Sequence, residues 1–488
     1  MPCASLIATL FEPPSPDGAE LTALPDAVDW LEVRADRLGD IDPEWLRDHF
    51  KGRLLYSLRR SVLNRPERLK TAARFYDRIE LEVESDTSEE LLELIPAEKR
   101  LVSWYGKVND LPELNDRFAQ LASVPAGAYK LVTTADAIAE EFLPLSLLKS
   151  LNRTDTIAFA NGPLGFWNRI LALHLGAPAI FGRVDGGSVI DMEPAIGKLI
   201  ADYGLPEVSP AKELFAIIGN PIFHSLSPRL HNASYRAINH AALFVPLRVT
   251  SFAEFWRDFV MSRKLAEFGM PINGMTVASP HKEEAVATAK TVSGMVRQTE
   301  AANILVRNNG WWTADTTDPD VVYRVSVKEK RAAVIGCGGA GRAIAAALVQ
   351  SGAGVTLINR GAERGEHAAA LLGLPYIPLR DFDAEGYDIV VNATPVGRDT
   401  DEAPFEVERL SDEAVVIDLV YGSRPTPLVG TTRARQQLAI DGRDVLVTQV
   451  SRQFHLMTGK EMPIDVLKAS LECGGPAPLW SRAKRGNR

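Results

Sequence analysis

Several groups of residues in this chain are spaced for chemistry. Glycines at 336, 338 and 341 follow the apolar run Ala333-Val334-Ile335 and precede an Ala-rich stretch that opens with Arg342-Ala343. In that context the first glycine permits a tight turn and the second lets backbone approach a pyrophosphate. The third lets a helix pack on the preceding strand, and the helix N-terminus faces the phosphates. Gly339 and Ala340 complete the loop. A second apolar run, Gly354-Val355-Thr356-Leu357-Ile358, ends in Asn359-Arg360, with Arg364 close behind. An acidic side chain at that turn would take a ribose 2′-hydroxyl, whereas arginine suits a 2′-phosphate. The pattern predicts NADP as the cofactor.

Two further groups fit chemistry on a small substrate. Lys282, in Ser279-Pro280-His281-Lys282, and Asp318, in Thr316-Thr317-Asp318, come from separate segments and suit an acid–base pair in one cleft. Taken singly, residues of these types mostly sit on solvated surface. The strand-like run Leu214-Phe215-Ala216-Ile217-Ile218-Gly219 leads into a helix start carrying Ser225, Ser227 and Asn232, groups that suit a small polyol carboxylate. Lys130 lies inside the apolar run Ala128–Val132. An ammonium there is costly unless paired or neutral. A desolvated lysine has a lowered pKa and can form a Schiff base with a ketone; a lysine snorkelling from a strand end fits the same pattern. The residues leave both readings open.

These groups need elements to position them. Strand-like runs recur through the first 210 residues: Leu6–Leu10, Val28–Val33, Leu54–Leu58, Ile79–Val83, Arg100–Ser103, Ala128–Val132, Thr156–Ala160 and Ala179–Phe181. Helix-like segments such as Glu89–Ile95 and Leu114–Leu121 lie between them. Eight strands alternating with helices predict a (β/α)8 barrel. Its polar residues fall where such a barrel keeps its chemistry, at the C-terminal ends of strands: Glu32 and Arg34, Arg59 and Arg60, Glu82, Tyr105 and Asn161. The barrel is expected to span 1–208, with a linker at Pro206–Lys212. An α/β substrate-binding domain follows over 212–318 and is completed by 445–470, where a helix brings Gln449 back to the cleft. A Rossmann domain occupies 319–444, and the Gly/Pro/basic tail 474–488 is expected to be disordered.

The 488 residues are 46% hydrophobic, enough for several cores, and carry a net charge of −9 with no basic stripe. That excludes a nucleic-acid footprint. No apolar run reaches membrane length and the N-terminus lacks a basic flank, so a cytoplasmic protein is expected. Cys3, Cys337 and Cys473 are too scattered for a disulfide framework or a zinc site, and no metal is expected.

Residues 214–468 resemble shikimate dehydrogenase. The resemblance implies substrate-binding roles for Ser225, Ser227, Asn303 and Gln449, a catalytic Lys282–Asp318 pair, and an NADP site at Gly336–Gly341, Asn359-Arg360 and Thr394, in Asn392-Ala393-Thr394-Pro395. The family's Asn-Val-Thr and Asn-Thr-Asp runs read Thr276-Val277-Ala278 and Thr316-Thr317-Asp318 here, changes that bear on affinity and substrate preference. The N-terminal region is similar to type I 3-dehydroquinate dehydratase in Glu32-Val33-Arg34, Ser57-Leu58-Arg59, Ile79-Glu80-Leu81-Glu82 and Asn161–Arg169. This resemblance implies Lys130 as the Schiff-base lysine, with Glu32, Arg34, Arg59 and Arg169 binding substrate. The family's catalytic histidine has no counterpart: its context reads Ser103-Trp104-Tyr105, and the barrel's histidines are His49 and His174. Nor is the family's late Gly-Gln loop recognisable around Ile190–Lys198. Together the resemblances imply a two-step shikimate-pathway enzyme acting on 3-dehydroquinate, 3-dehydroshikimate and shikimate, with a slow first step. The alternatives are an NAD(P)-dependent quinate/shikimate dehydrogenase with a non-catalytic barrel, and a quinate-pathway sensor, which loss of Lys282 or Asp318 would have favoured.

Overall fold

Each strand-like run in the first 210 residues forms a strand in the computed structural model, which describes residues 3–59, 62–185, 193–422 and 424–472. Arg60, part of the Ile190–Lys198 loop, Cys473 and the tail 474–488 therefore lie outside the described residues. The chain divides into two compact units, Met1–Phe215 with Pro221–Ile272, and Ala216–Asn220 with Asn273–Arg488.

In the first unit, eight strands follow in order: β1 (Ser5–Leu10), β2 (Val28–Arg34), β3 (Arg53–Ser57), β4 (Arg78–Glu82), β5 (Arg100–Gly106), β6 (Ala128–Thr134), β7 (Thr156–Asn161) and β8 (Ala179–Arg183). They form one parallel sheet in the order β7-β6-β5-β4-β3-β2-β1-β8, an eight-stranded near-barrel. Successive residues of a strand face opposite sides, and here that alternation sorts the interior into layers. Ile7, Trp30, Leu55, Leu101, Ala128, Ile157 and Ala179 form part of an apolar cluster at one depth. Two residues further along the same faces come Thr9, Glu32, Ser57, Ser103, Lys130, Phe159 and Phe181. The polar layer thus begins one side-chain pair above the apolar floor. Helices such as Leu111–Ala122 and Trp167–His174 cover the outside. The residues Pro221–Ile272 pack on this region through aromatic rings. Phe142 and Trp167 meet Phe259 with centroids 5.6 and 5.0 Å apart, and Phe166 meets Phe223 at 5.1 Å. Such pairs contribute about 0.5–1.5 kcal/mol each beyond their buried area.

The strand β9 (Glu213–Gly219) passes from the first unit into the second, and β10 (Ala242–Arg248) belongs to the first. In the second unit β9 is followed by β11 (Ile272–Val277), β12 (Thr291–Val292), β13 (Ile304–Asn308) and β14 (Trp311–Asp315), arranged β9-β11-β13-β14-β12. A six-stranded parallel sheet then forms from β15 (Arg331–Ile335), β16 (Gly354–Asn359), β17 (Tyr376–Pro378), β18 (Ile389–Asn392), β19 (Val415–Asp418) and β20 (Ala439–Ile440). Its order, β17-β16-β15-β18-β19-β20, reverses direction at β15, where a doubly wound sheet opens its ligand crevice. The helices Gly442–Thr458 and Ile464–Glu472 end the described chain.

Candidate active sites

In the barrel, Lys130 is buried and enclosed. Its Nζ stands 3.6 Å from Glu32 Oε1, 3.5 Å from Glu80 Oε1 and 3.9 Å from the Phe181 ring centroid. Glu32 is held by hydroxyls from both neighbouring strands, Thr9 Oγ1 at 2.6 Å and Ser57 Oγ at 2.7 Å. The Tyr105 hydroxyl donates to Glu80, and the Arg59 guanidinium lies 3.5 Å over the Tyr105 ring. Burial by itself pulls the Lys130 pKa down, but Glu80, Tyr105 and Glu32 carry it above the ordinary lysine value. Burial acts on Glu80 in the opposite sense, and Lys130 and Arg59 hold that carboxyl well below its usual range. Lys130 is thus neither a snorkelling lysine nor, without a ligand, a low-pKa amine. Burial and the Glu80 carboxylate push the Tyr105 phenol far above its ordinary value.

The other barrel residues are placed unequally. Arg34 is turned to Asp36, which it meets through two nitrogens at 2.9 and 2.8 Å. Arg169 is buried over the Phe159 ring and donates to Asn161 Oδ1 at 2.9 Å. His49 ends the helix Pro43–His49 and bonds the Trp45 carbonyl. His174 ends the helix Trp167–His174, where burial pulls its pKa down to about 4. Neither is among the groups around Lys130. Glu80, part of the acidic run Ile79-Glu80-Leu81-Glu82 but with no role assigned from sequence, is the carboxylate of that run that meets Lys130. The strand period puts both glutamates on one face, and depth selects Glu80.

In the second unit, Asp318 is the hub. Its Oδ2 meets Lys282 Nζ at 2.6 Å, while Oδ1 accepts from Asn303 Nδ2 at 3.0 Å and Gln449 Nε2 at 2.9 Å. The elements explain the meeting. Lys282 follows β11, and its carbonyl accepts the Ala302 amide at 2.8 Å. Asn303 precedes β13, Asp318 follows β14, and Gln449 projects from the helix Gly442–Thr458. Asn303 also fixes the approach to Asp318, because its Oδ1 accepts the Thr317 amide at 2.8 Å. One turn beyond Gln449, Gln453 donates to Thr317 Oγ1 at 3.0 Å and accepts from Thr276 Oγ1 at 3.3 Å. Thr276, which stands where the family has Asn, is thereby tied through Gln453 to Thr317, which keeps the family's Thr. Gln453 was signalled only by its four-residue spacing from Gln449. Ser225 and Ser227 belong to the other unit. Both are buried there, at the start of the helix Ser227–Ala237, with Ser225 Oγ accepting the Ser227 amide at 3.2 Å.

The glycine loop fits a dinucleotide. Gly336 has φ +103°, and a Cβ on Gly341 would stand 1.8 Å from the Gly336 carbonyl oxygen. Nothing lies within 4 Å of where a Gly338 Cβ would be, and the helix Gly339–Gln350 has no side-chain cap, leaving its first amides open to phosphate. Ala340 is in that first turn. Asn359 Oδ1 accepts the Cys337 amide at 3.1 Å, Thr394 packs beside Gly336, and Arg360 and Arg364 are exposed past β16. Arg364 leans toward Glu283, 3.8 Å away. The buried Arg342, not singled out from sequence, meets Glu283 at 2.8 Å and the Thr299 carbonyl at 2.8 Å. Among the described residues no group of His, Cys, Asp or Glu is placed to hold a metal ion, and no helix is long and apolar enough to cross a membrane.

A parallel near-barrel with a lysine at its heart, followed by a dinucleotide fold with a Lys–Asp pair, defines a two-part enzyme class. Comparison with known proteins makes this particular. Residues 11–199 match the type I 3-dehydroquinase family model. Residues 217–305 match the shikimate dehydrogenase substrate binding domain, and 289–417 the NAD binding domain of D-isomer specific 2-hydroxyacid dehydrogenases. The chain is 34% identical to the shikimate dehydrogenase (NADP(+)) of Methanothrix thermoacetophila over 267 residues, 53% of this chain and 96% of that protein. It is 27% identical to the chloroplastic bifunctional 3-dehydroquinate dehydratase/shikimate dehydrogenase of Arabidopsis thaliana over 386 residues, covering 74% of this chain and 62% of the plant protein. The crystal structure of shikimate 5-dehydrogenase from Thermus thermophilus with NADP(H) and shikimate is 26% identical, covers 54% of this chain and 99% of that one, and has a TM-score of 0.47. The chain belongs to the shikimate dehydrogenase family, and residues 11–199, ahead of that region, match the type I 3-dehydroquinase model.

Proposed function

We propose that the protein catalyses two consecutive steps of the shikimate pathway, dehydration of 3-dehydroquinate by the barrel and NADP-dependent reduction of 3-dehydroshikimate by residues 212–470, in the cytoplasm. The contact of Lys282 with Asp318, itself bonded by Asn303 and Gln449, carries the reading. NADPH, when bound at the glycine loop, supplies the hydride. Lys282, positioned by its contact with Asp318, gives a proton to the reduced carbonyl oxygen or stabilises its developing charge. Asp318 orients Lys282 and receives a substrate hydroxyl. Asn303 and Gln449 bind the substrate's polar groups, and Arg360 with Arg364 takes the cofactor's 2′-phosphate.

In the barrel, Lys130 Nζ attacks the substrate ketone, and water leaves to give an iminium. Loss of the C2 proton and expulsion of the C1 hydroxyl as water follow, and hydrolysis releases the product and the lysine. Arg169 anchors the substrate carboxylate, and Glu32, Arg34 and Arg59 face its remaining groups. We propose that this half is slow. Lys130 must first give up a proton that Glu32 and Glu80 retain, and Tyr105 offers no group that titrates near neutrality. The same observation favours a second reading, in which the barrel binds its ligand without turnover.

One set of assays on the full chain tests both halves. NADPH oxidation by 3-dehydroshikimate should be fast and should exceed NADH oxidation. Formation of 3-dehydroshikimate from 3-dehydroquinate should be slow, while cyanoborohydride traps an adduct at Lys130. Absence of the reduction defeats the dehydrogenase reading. Absence of both adduct and turnover leaves the barrel as a binding module.

A further inference from the structure

Arg169 is buried yet short of acceptors. Its guanidinium stacks 4.2 Å over the Phe159 ring, one terminal nitrogen donates to Asn161, and the other meets Glu193 Oε1 at 3.5 Å. Its Nε is buried with no hydrogen-bond partner. A guanidinium carries five N–H donors in a fixed fork, so this one has room for a further oxygen ligand. Glu193 is not a passing surface residue. Its side chain is 16% exposed, and the backbone just after it is fixed to β8, where the Pro194 carbonyl accepts the Arg183 amide at 3.0 Å and Ala195 bridges to Arg183.

We propose that Glu193 is a built-in competitor for Arg169, its carboxylate occupying the guanidinium in place of a ligand carboxylate and so setting the concentration of anionic substrate that the barrel requires. The proposal rests on the reading of Arg169 as the substrate-carboxylate anchor. A ligand carboxylate reaching Arg169 meets one of two costs. Either Glu193 withdraws and its pairing is lost, or it stays and two like charges share one cation in a buried site. Glutamine at 193 keeps the size and an acceptor oxygen but removes the charge, which leaves the ligand unopposed. Glu193 acts through Arg169, so it is a positioning residue that tunes specificity.

The test uses the full-length protein with 3-dehydroquinate and cyanoborohydride, following the modified Lys130 peptide by mass spectrometry across substrate concentration. Glu193→Gln should lower the half-saturating concentration about tenfold, the scale of one charge-assisted hydrogen bond. In an Arg169→Met background the same substitution should change nothing, because the competitor has lost its target. A half-saturation unchanged or raised by Glu193→Gln overturns the proposal and makes Glu193 a prop or a direct substrate contact. If Arg169→Met alone leaves half-saturation unmoved, the anchor reading fails and takes the proposal with it, a result visible before Glu193 is touched. If no variant yields an adduct, hydrogen–deuterium exchange of the 159–169 peptide against 3-dehydroquinate concentration supplies the same half-saturation values, judged by the same criteria.

Discussion

Lys130 and Lys282 each stand beside carboxylates, and the contrast between them separates two uses of one residue type. Lys282 is 17% exposed at the side chain and faces Asp318, whose other oxygen is already engaged by two amides. Lys130 is 4% exposed and faces two carboxylates above an aromatic floor. A lysine that donates a proton or steadies an oxyanion works as an ammonium, so a carboxylate partner serves it. A lysine that attacks a ketone works only as the free amine, so carboxylates that stabilise its charge oppose it until a ligand rearranges the layer. The dehydrogenase half is preorganised for its step; the barrel half is organised around a resting charge.

The contrast can be broken first at Lys282. Lys282→Ala and Asp318→Ala should each lower dehydrogenase kcat by about 10²–10⁴-fold, the usual range for a positioned acid–base group, while NADPH still binds in a fluorescence titration. Near-normal turnover in either variant removes the dyad from the mechanism. At Lys130 the expected sign is the reverse. Glu80→Gln removes one anion and should speed cyanoborohydride trapping at neutral pH by about tenfold, since each unit of pKa lowering multiplies the free amine tenfold. Slower trapping would mean that Glu80 itself carries protons for iminium formation. A comparable effect is expected at the cofactor end, where Arg360→Ala should raise KM for NADPH about tenfold and leave that for NADH nearly unchanged, through loss of a charge-assisted phosphate contact. Equal effects on both cofactors would move the 2′-phosphate elsewhere.

The smallest effect concerns a buried carboxyl outside both lysine sites. Glu141 accepts the Leu164 amide, Trp167 Nε1 and Asn168 Nδ2, and burial pushes its pKa up to about 7. The folded chain therefore holds a proton that the unfolded chain has released, so stability is greatest below the unfolded carboxyl pKa and falls as pH rises toward 7. A melting temperature that drops between pH 5 and 7, with part of that slope lost in Glu141→Gln, is the expected outcome. An unchanged slope would assign the proton to another group.

The eight barrel strands were legible because each is a short apolar run flanked by turn residues. The dinucleotide fold was legible because glycine spacing reports backbone geometry directly. The Lys282, Asp318, Asn303 and Gln449 positions could be read from motifs. Gln453, Arg342 and Glu283 could not, because their partners are backbone carbonyls, threonine hydroxyls and arginines that mark no pattern. Lys130 shows a deeper limit. Its apolar neighbours in sequence, Tyr129 and Leu131, point away from it, and the groups that set its charge, Glu32 and Glu80, arrive from strands far along the chain. Reading along the chain shows what precedes and follows a residue; the barrel decides what it faces.

The path of β9 has a consequence for anyone dividing the gene. Residues 221–272 group with the barrel, although they follow the first residues of the second unit. Phe259 rests on Phe142 and Trp167, and Phe223 on Phe166 beside Gly165, where a Cβ would come within 2.2 Å of the Phe223 ring. A split at residue 208 would part these rings from Phe142, Trp167 and Phe166, exposing an aromatic face on each product. An expression library cut there would sample fragments with newly exposed aromatic surface, which favours association and insolubility.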